Sequence, residues 1–208
     1  MSTVLAVTSS ALGESSVSNG LVGEAIKALR ARHTERRVIA RDLGRNPVPH
    51  LTLDSATAIR GEEPANAAQA AARALSDELI AELKAADTIV IGAPMYNFGM
   101  ASTLKSWFDY VLRAGVTFRY TESGPVGLLE GKRAIVILSR GGVYNGPAQV
   151  MDSQEPHLRN LLGFMGIGNV TFVRAEKLAF GPEARDQAIE AARAELGEVI
   201  ERGYREAA

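Results

Sequence analysis

Three short stretches of this chain carry side chains suited to holding one ligand. Ser9–Ser18 (SSALGESSVS) is rich in hydroxyls, Pro94-Met95-Tyr96-Asn97-Phe98 is aromatic, and Ser139-Arg140-Gly141-Gly142 is basic and glycine-rich. In the first, Ser10, Ser16 and Ser18 offer hydroxyls, and a helical pattern opens at Ser16. The start of a helix presents free N–H groups and a partial positive charge, which suit a phosphate. A lone serine there would be a plain N-cap; a cluster of serines between an apolar run and a helix favours the phosphate. In the second stretch, backbone N–H groups can meet a ring nitrogen or carbonyl while Tyr96 and Phe98 line the ring plane; a packed surface loop is the alternative. In the third, glycines let the backbone approach a flat ligand closely. Arg140 brings a cation toward the edge of a ring that gains negative charge on reduction. A simple turn is the alternative.

A phosphate, a flat ring and the ring's polar edge together describe a flavin mononucleotide. Neither G-x-G-x-x-G nor a P-loop occurs. Gly127-Leu128-Leu129-Glu130-Gly131-Lys132 imitates the latter with the wrong spacing and runs into a strand. A mononucleotide therefore fits better than a dinucleotide or ATP. There is no cysteine, and His33, His50 and His157 lack metal-ligand spacing, so no metal is expected. No G-x-S-x-G elbow marks a serine hydrolase. With 23 basic and 24 acidic residues, no basic field exists to draw nucleic acid or anionic lipid. No apolar run reaches the length of a membrane span. The start Met1-Ser2-Thr3 leads directly into Val4–Val7 without the basic region of a signal peptide, so a cytoplasmic protein is expected.

The elements that must position these loops follow from hydrophobic patterning. At 208 residues and 46% hydrophobic, residues 1–208 are expected to form a single α/β domain. Five strand-like runs occur at Val4–Val7, Val38–Ala40, Thr88–Ala93, Ala134–Leu138 and Val170–Val173. Near-continuous apolar runs suit strands covered on both faces; Val38–Ala40 is the weakest and is assigned an outer position. Helical spacing separates them, clearest at Leu104, Trp107, Phe108, Val111 and Leu112. Alternating strands and helices predict a flavodoxin-like, three-layer α/β fold with a five-stranded parallel sheet in the order 2-1-3-4-5. The three loops follow strands 1, 3 and 4, which are neighbours in that order. They should meet at one carboxyl edge, where open α/β sheets bind ligands. Gly44–Asn66, with three prolines, reads as a flap, and Val116–Gly131 as a second irregular stretch.

Longer motifs carry a family resemblance that runs nearly end to end. They are Ala93-Pro94-Met95-Tyr96-Asn97-Phe98, the run Arg113–Glu122 (RAGVTFRYTE), Ser139-Arg140-Gly141-Gly142, Leu75–Ile80 (LSDELI) and Phe180-Gly181-Pro182-Glu183. In these the chain resembles the FMN-dependent NADH azoreductases, also described as FMN-dependent NADH:quinone oxidoreductases. The resemblance implies a homodimer with one FMN per subunit, placed at the subunit interface. By position it implies that Ser10, Ser16, Val17 and Ser18 hold the phosphate. Met95, Tyr96, Asn97, Phe98, Ser139, Arg140, Gly141 and Gly142 contact the isoalloxazine. Tyr120 and Phe164 are expected to wall the substrate pocket from the partner subunit, with Arg60 on the flap near the substrate and Tyr120 a candidate proton source. The implied activity is ping-pong reduction of quinones and aromatic azo compounds, with NADH or NADPH as donor. A flavodoxin-type electron carrier is the alternative, but such carriers are usually strongly acidic and this chain has a net charge of −1. A phosphoacceptor receiver of the same fold should end its third strand in Asp, whereas this one ends Gly92-Ala93-Pro94.

Overall fold

Runs of valine, isoleucine and leucine with no polar face can only be buried on both sides, and they are. The computed structural model describes residues 2–61 and 63–205. In chain order the elements are β1 (Thr3–Thr8), α1 (Val17–Arg32), β2 (Arg37–Asp42), α2 (Leu53–Arg60), α3 (Ala67–Ala85), β3 (Thr88–Tyr96), β4 (Gly99–Met100), α4 (Ser102–Val111), β5 (Phe118–Thr121), β6 (Gly124–Gly127), β7 (Arg133–Ser139), α5 (Gln154–Phe164), β8 (Asn169–Ala175) and α6 (Pro182–Arg205). Strands β2-β1-β3-β7-β8 form a parallel sheet in that order, the expected 2-1-3-4-5 arrangement with β2 at its edge.

Successive strand residues feed two cores. Leu5, Val7, Ile89, Ile91, Val136 and Leu138 pack with α3, α4 and α5, through Leu79, Leu83, Trp107, Phe108, Leu158 and Leu162. Val4, Ala6, Val90, Ile135 and Ile137 pack with α1 and α6, through Leu21, Ala25, Leu196 and Val199. The period-2 direction of strand side chains assigns each residue to its layer.

Two stretches expected to be irregular are more ordered than their composition suggests. Within 44–66, Thr52 and Ser55 cap α2 reciprocally: Ser55 N donates to Thr52 Oγ1 at 3.2 Å, and Thr52 N donates to Ser55 Oγ at 2.7 Å. Ser55, Ala58 and Ile59 then bury one face. Within 116–131, β5 and β6 pair as an antiparallel hairpin.

Outside the sheet, an exposed pair ties α1 to α6, with Arg193 Nε 2.6 Å from Glu24 Oε2. The hydrogen bond from Arg193 holds the Glu24 carboxyl below its ordinary value of 4.5. A lowered folded-state pKa stabilises at neutral pH, and that gain fades as pH falls through it. Glu24→Gln is expected to lower thermal stability at pH 7 by no more than about 1 kcal/mol, as for other exposed pairs. Melting curves of the two proteins should converge as the pH drops below the carboxylate range.

Candidate active site

The first loop leaves β1 at Thr8 and enters α1 at Val17. Ser16 is the N-cap: its Oγ accepts from Asn19 N at 3.2 Å and lies 3.1 Å from Ser18 Oγ. The N–H groups of Val17 and Ser18 are among the free donors that begin every helix; no acceptor among the described residues takes them. The cap reading and the phosphate reading of this loop are thus compatible, because one oxygen caps while two hydroxyls and two N–H groups converge. A cleft of about 200 Å3 beside Ser16 and Val17 is lined by Arg185 and Arg193 of α6 and by Glu24. Gly92 lets the first two turns of α1 lie against the middle of β3, where a Cβ would sit 3.0 Å from Val22 Cγ2 and 3.4 Å from Ser18 O.

The second loop is a hairpin turn. β3 continues through Pro94 to Tyr96 and returns as β4, with Tyr96 opposite Gly99. The two central residues have positive φ, Asn97 at 49° and Phe98 at 71°. That is the pattern of a type I′ hairpin turn, which asparagine tolerates and a bulky residue does not. Phe98 is 47% exposed, so burial does not explain its presence there. Local strain of this kind gathers at functional sites. Phe98→Gly is expected to raise stability by about 1 kcal/mol, read as a rise of a few degrees in Tm, while removing an aromatic wall from the site. Tyr96 joins this turn to the first loop. Its Oη lies 3.3 Å from Ser10 Oγ and accepts from Ala11 N at 3.1 Å.

The third loop differs in one respect from its sequence reading. Arg140 is 1% exposed, and its guanidinium is taken up by the protein. It donates to Gln154 Oε1 at 3.0 Å, Asp152 Oδ2 at 2.8 Å and Glu176 Oε1 at 3.2 Å. The cation thus serves to anchor the loop. The carbonyls of Arg140, Gly141 and Gly142 accept from Leu178, Ala179 and Lys177, while the N–H groups of Gly141 and Gly142 have no partner among the described residues. The loop therefore offers peptide donors, and Pro94 pairs with Ser139 in register, so it stands beside the hairpin.

The remaining sequence candidates lie elsewhere. α5 starts beside the carboxyl edge, where Gln154 Nε2 donates to Ala93 O at 2.9 Å. It spans eleven residues, so Phe164 is about 15 Å away by helix rise. It sits near the start of β8, where Asn169 pairs with Arg133, the first residue of β7. Phe118 joins Phe164 to Tyr120, with ring centroids 4.5 Å and 5.5 Å away. Tyr120 and Phe164 are therefore together, and at the opposite end of the sheet from the three loops. Tyr120 is 72% exposed. Arg60 ends α2 and is exposed. The 44–66 segment is nonetheless fastened to the body, since His50 Nδ1 lies 3.0 Å from Ser106 Oγ of α4.

A cavity of about 760 Å3 opens between Ser10, Gly13 and Asn19 on one side and Asp42, Gly44 and Arg45 on the other. It lies on the β2 side of Ser10, and neither the hairpin nor the 139–142 loop lines it. On the opposite, β3 side of the first loop, Ser10 meets Tyr96. Among the described residues no cluster of His, Asp and Glu is arranged to hold a metal, and no helix is long and apolar enough to cross a membrane. Sequence reasoning missed Gln154 and Asp152, which hold the third loop; the Asp-Ser-Gln spacing at a helix start was the available signal.

Known proteins share this fold. A family model described as the flavodoxin-like fold matches residues 2–200. The FMN-dependent NADH:quinone oxidoreductase of Hyphomonas neptunium is 54% identical over 202 residues, covering 97% of each chain. That of Azotobacter vinelandii is 47% identical over 200 residues, 96% of this chain and 100% of its own. Among solved structures, an azoreductase from Bacillus anthracis str. Sterne is 29% identical, with a TM-score of 0.87 over 97% of this chain and 100% of that one. An FMN-dependent NADH-azoreductase from Bacillus anthracis str. Ames Ancestor, solved in complex with FMN, is 26% identical, with a TM-score of 0.87 over 97% and 99%. A parallel sheet of this order, with hydroxyl, aromatic and glycine loops at one edge and relatives of such identity along nearly its whole length, means that the chain belongs to the flavodoxin-like fold family and, within it, to the FMN-dependent NADH:quinone oxidoreductases.

Proposed function

We propose that residues 1–208 act as one FMN-binding domain that uses NADH to reduce quinones and aromatic azo compounds. The observation that carries this reading is the meeting of three chemically different loops at one carboxyl edge, linked through Tyr96 and Ser10. The donor set fits the cofactor. Two hydroxyls and two N–H groups at the start of α1 suit a dianionic phosphate, and a flat ring suits the space between a strained aromatic hairpin and two glycines. FMN held there would supply the two-electron chemistry between NADH and the acceptor.

The chain's own residues bind, orient and exclude water. Ser10, Ser16, Val17 and Ser18 hold the phosphate end. Met95, Tyr96, Asn97 and Phe98 set the ring plane, with Tyr96 fixed by its bonds to the first loop. Ser139, Arg140, Gly141 and Gly142 bring backbone donors to the polar edge, and Arg140 acts as their anchor. A second copy supplies the wall above the ring through Tyr120 and Phe164, with Arg60 near the acceptor. What supports the homodimer is that this aromatic pair lies at the far end of its own sheet, out of reach of its own loops. Tyr120 is exposed and carries a hydroxyl able to give a proton to the acceptor. Because NADH is a cytoplasmic donor, we read the protein as cytoplasmic.

A visible spectrum and an anaerobic titration test the proposal. FMN-loaded protein is expected to bleach with NADH and to recover its colour on adding a soluble quinone. Parallel titration with NADPH gives the donor preference. At a hundred-fold excess over Kd, FMN should add about 2.7 kcal/mol of stability. Protein that stays colourless with excess FMN and gains no thermal protection would refute the reading. Bleaching without recovery on quinone would leave an electron carrier in its place.

A further inference from the structure

We propose that Gln154 is a positioning residue that sets the spacing between the two ring-facing loops, an inference that rests on the FMN site described above. Gln154 is 0% exposed, and its amide spans the gap between them. Nε2 donates to Ala93 O at 2.9 Å, one residue before the aromatic hairpin begins, and Oε1 accepts from Arg140 Nε at 3.0 Å, in the glycine loop.

The two carbonyls at this point of β3 face opposite ways. Gly92, the last residue of β3 paired with β1, has its carbonyl taken by Ser9 Oγ at 2.8 Å. The Ala93 carbonyl faces the β7 side, where Gln154 Nε2 reaches it. The start of α5 is itself held in place. Asp152 Oδ1 accepts from Gln154 N at 2.9 Å and Glu155 N at 3.1 Å, while its Oδ2 accepts from Arg140. Ser153 N donates to Phe98 O at 3.1 Å. One helix start therefore grips both loops, and Gln154 is its only side chain bonded to each of them among the described residues. Because the amide both donates and accepts, no other residue of its shape serves both sides.

Two variants separate the bonds. Gln154→Glu keeps an acceptor for Arg140 and loses the donor to Ala93. Gln154→Leu loses both. Far-UV circular dichroism and melting of the FMN-free proteins report the fold. Flavin fluorescence quenching gives the Kd for FMN, and a dye-coupled titration gives the midpoint potential of the bound flavin. Loosened loops carry the Gly141 and Gly142 donors away from the polar edge, so the potential is expected to become more negative. FMN binding is expected to weaken about ten-fold in the leucine variant, the factor equivalent to one lost positioning bond. The glutamate variant should fall between it and the parent. If the leucine variant does not fold, the glutamate variant decides. Reduced melting temperature with unchanged Kd and unchanged potential makes Gln154 a core hydrogen bond only and overturns the inference. If the parent protein takes up no FMN, the site reading fails as well, and the two failures are distinct.

Discussion

A Ser16→Asp variant is expected to fold as the parent does and to bind FMN roughly a thousand-fold more weakly. Aspartate caps a helix as well as serine does, and a carboxylate at a helix start gains from the dipole. The Asn19 N–H that now meets Ser16 Oγ at 3.2 Å keeps an acceptor. Thermal stability of the FMN-free protein should therefore hold or rise slightly. The same carboxylate stands where the phosphate is proposed to sit. Unit charges about 4 Å apart repel by about 4 kcal/mol at an effective dielectric near 20, which is roughly three decades in Kd. Ser16→Ala provides the contrast: it loses the cap at a cost of about 1 kcal/mol and removes one phosphate donor. Fluorescence quenching and melting of the three proteins measure both effects. Parental affinity in Ser16→Asp would reduce Ser16 to a helix cap and remove the phosphate from this loop.

The second large effect is expected at a contact remote from the loops. Gly127 of β6 lies against the turn after α5 with no room for a side chain. A Cβ there would be 2.0 Å from Gly166 N and 2.3 Å from Gly166 Cα. Both atoms are backbone, so no rotamer change relieves the clash. Gly166 has φ 92° and closes the turn that Leu129 N meets through Met165 O at 2.9 Å. Gly127→Ala must push the β5–β6 hairpin off α5, a form of overpacking that costs about 3 kcal/mol. For a protein of this size that is a fall of roughly 10 °C in Tm. The hairpin carries Tyr120, beside Phe118 and Phe164. Under the dimer proposal the variant should also raise KM for a quinone several-fold in assays below its Tm. An unchanged KM in a destabilised variant would detach Tyr120 from the acceptor pocket.

How far the sequence could be read varied with how local the deciding force was. The five strands were legible because burial on both faces demands continuous apolar runs, as in Ile89–Ile91 and Ala134–Leu138. Their order is the one expected for five β-α units in a flavodoxin-like doubly wound sheet, and with it comes the meeting of the three loops. α2 was hidden inside the expected flap because its capping box uses Thr52 and Ser55, short side chains that also suit turns. The positive φ of Phe98 was not legible, since a phenylalanine does not itself prefer that conformation; the pairing of Tyr96 with Gly99 imposes it.

Arg140 is the sharpest divergence. In the sequence it is a cation next to two glycines, free to face a ligand. In the fold it is drawn inward by Asp152, Glu176 and Gln154, residues 12, 36 and 14 positions away. Gln154 carried no functional mark at all, because its importance comes from spanning Ala93 and Arg140. Likewise the sequence does not show where Tyr120 and Phe164 stand; the course of α5 puts them at the opposite end of the sheet from the three loops of their own chain. Sequence patterning by itself determined which segments are buried and which loops share an edge, because burial and chain handedness act through near neighbours. The tertiary structure alone decided where each polar side chain points, because a buried charge or amide goes to whichever partners the packing brings within hydrogen-bonding distance.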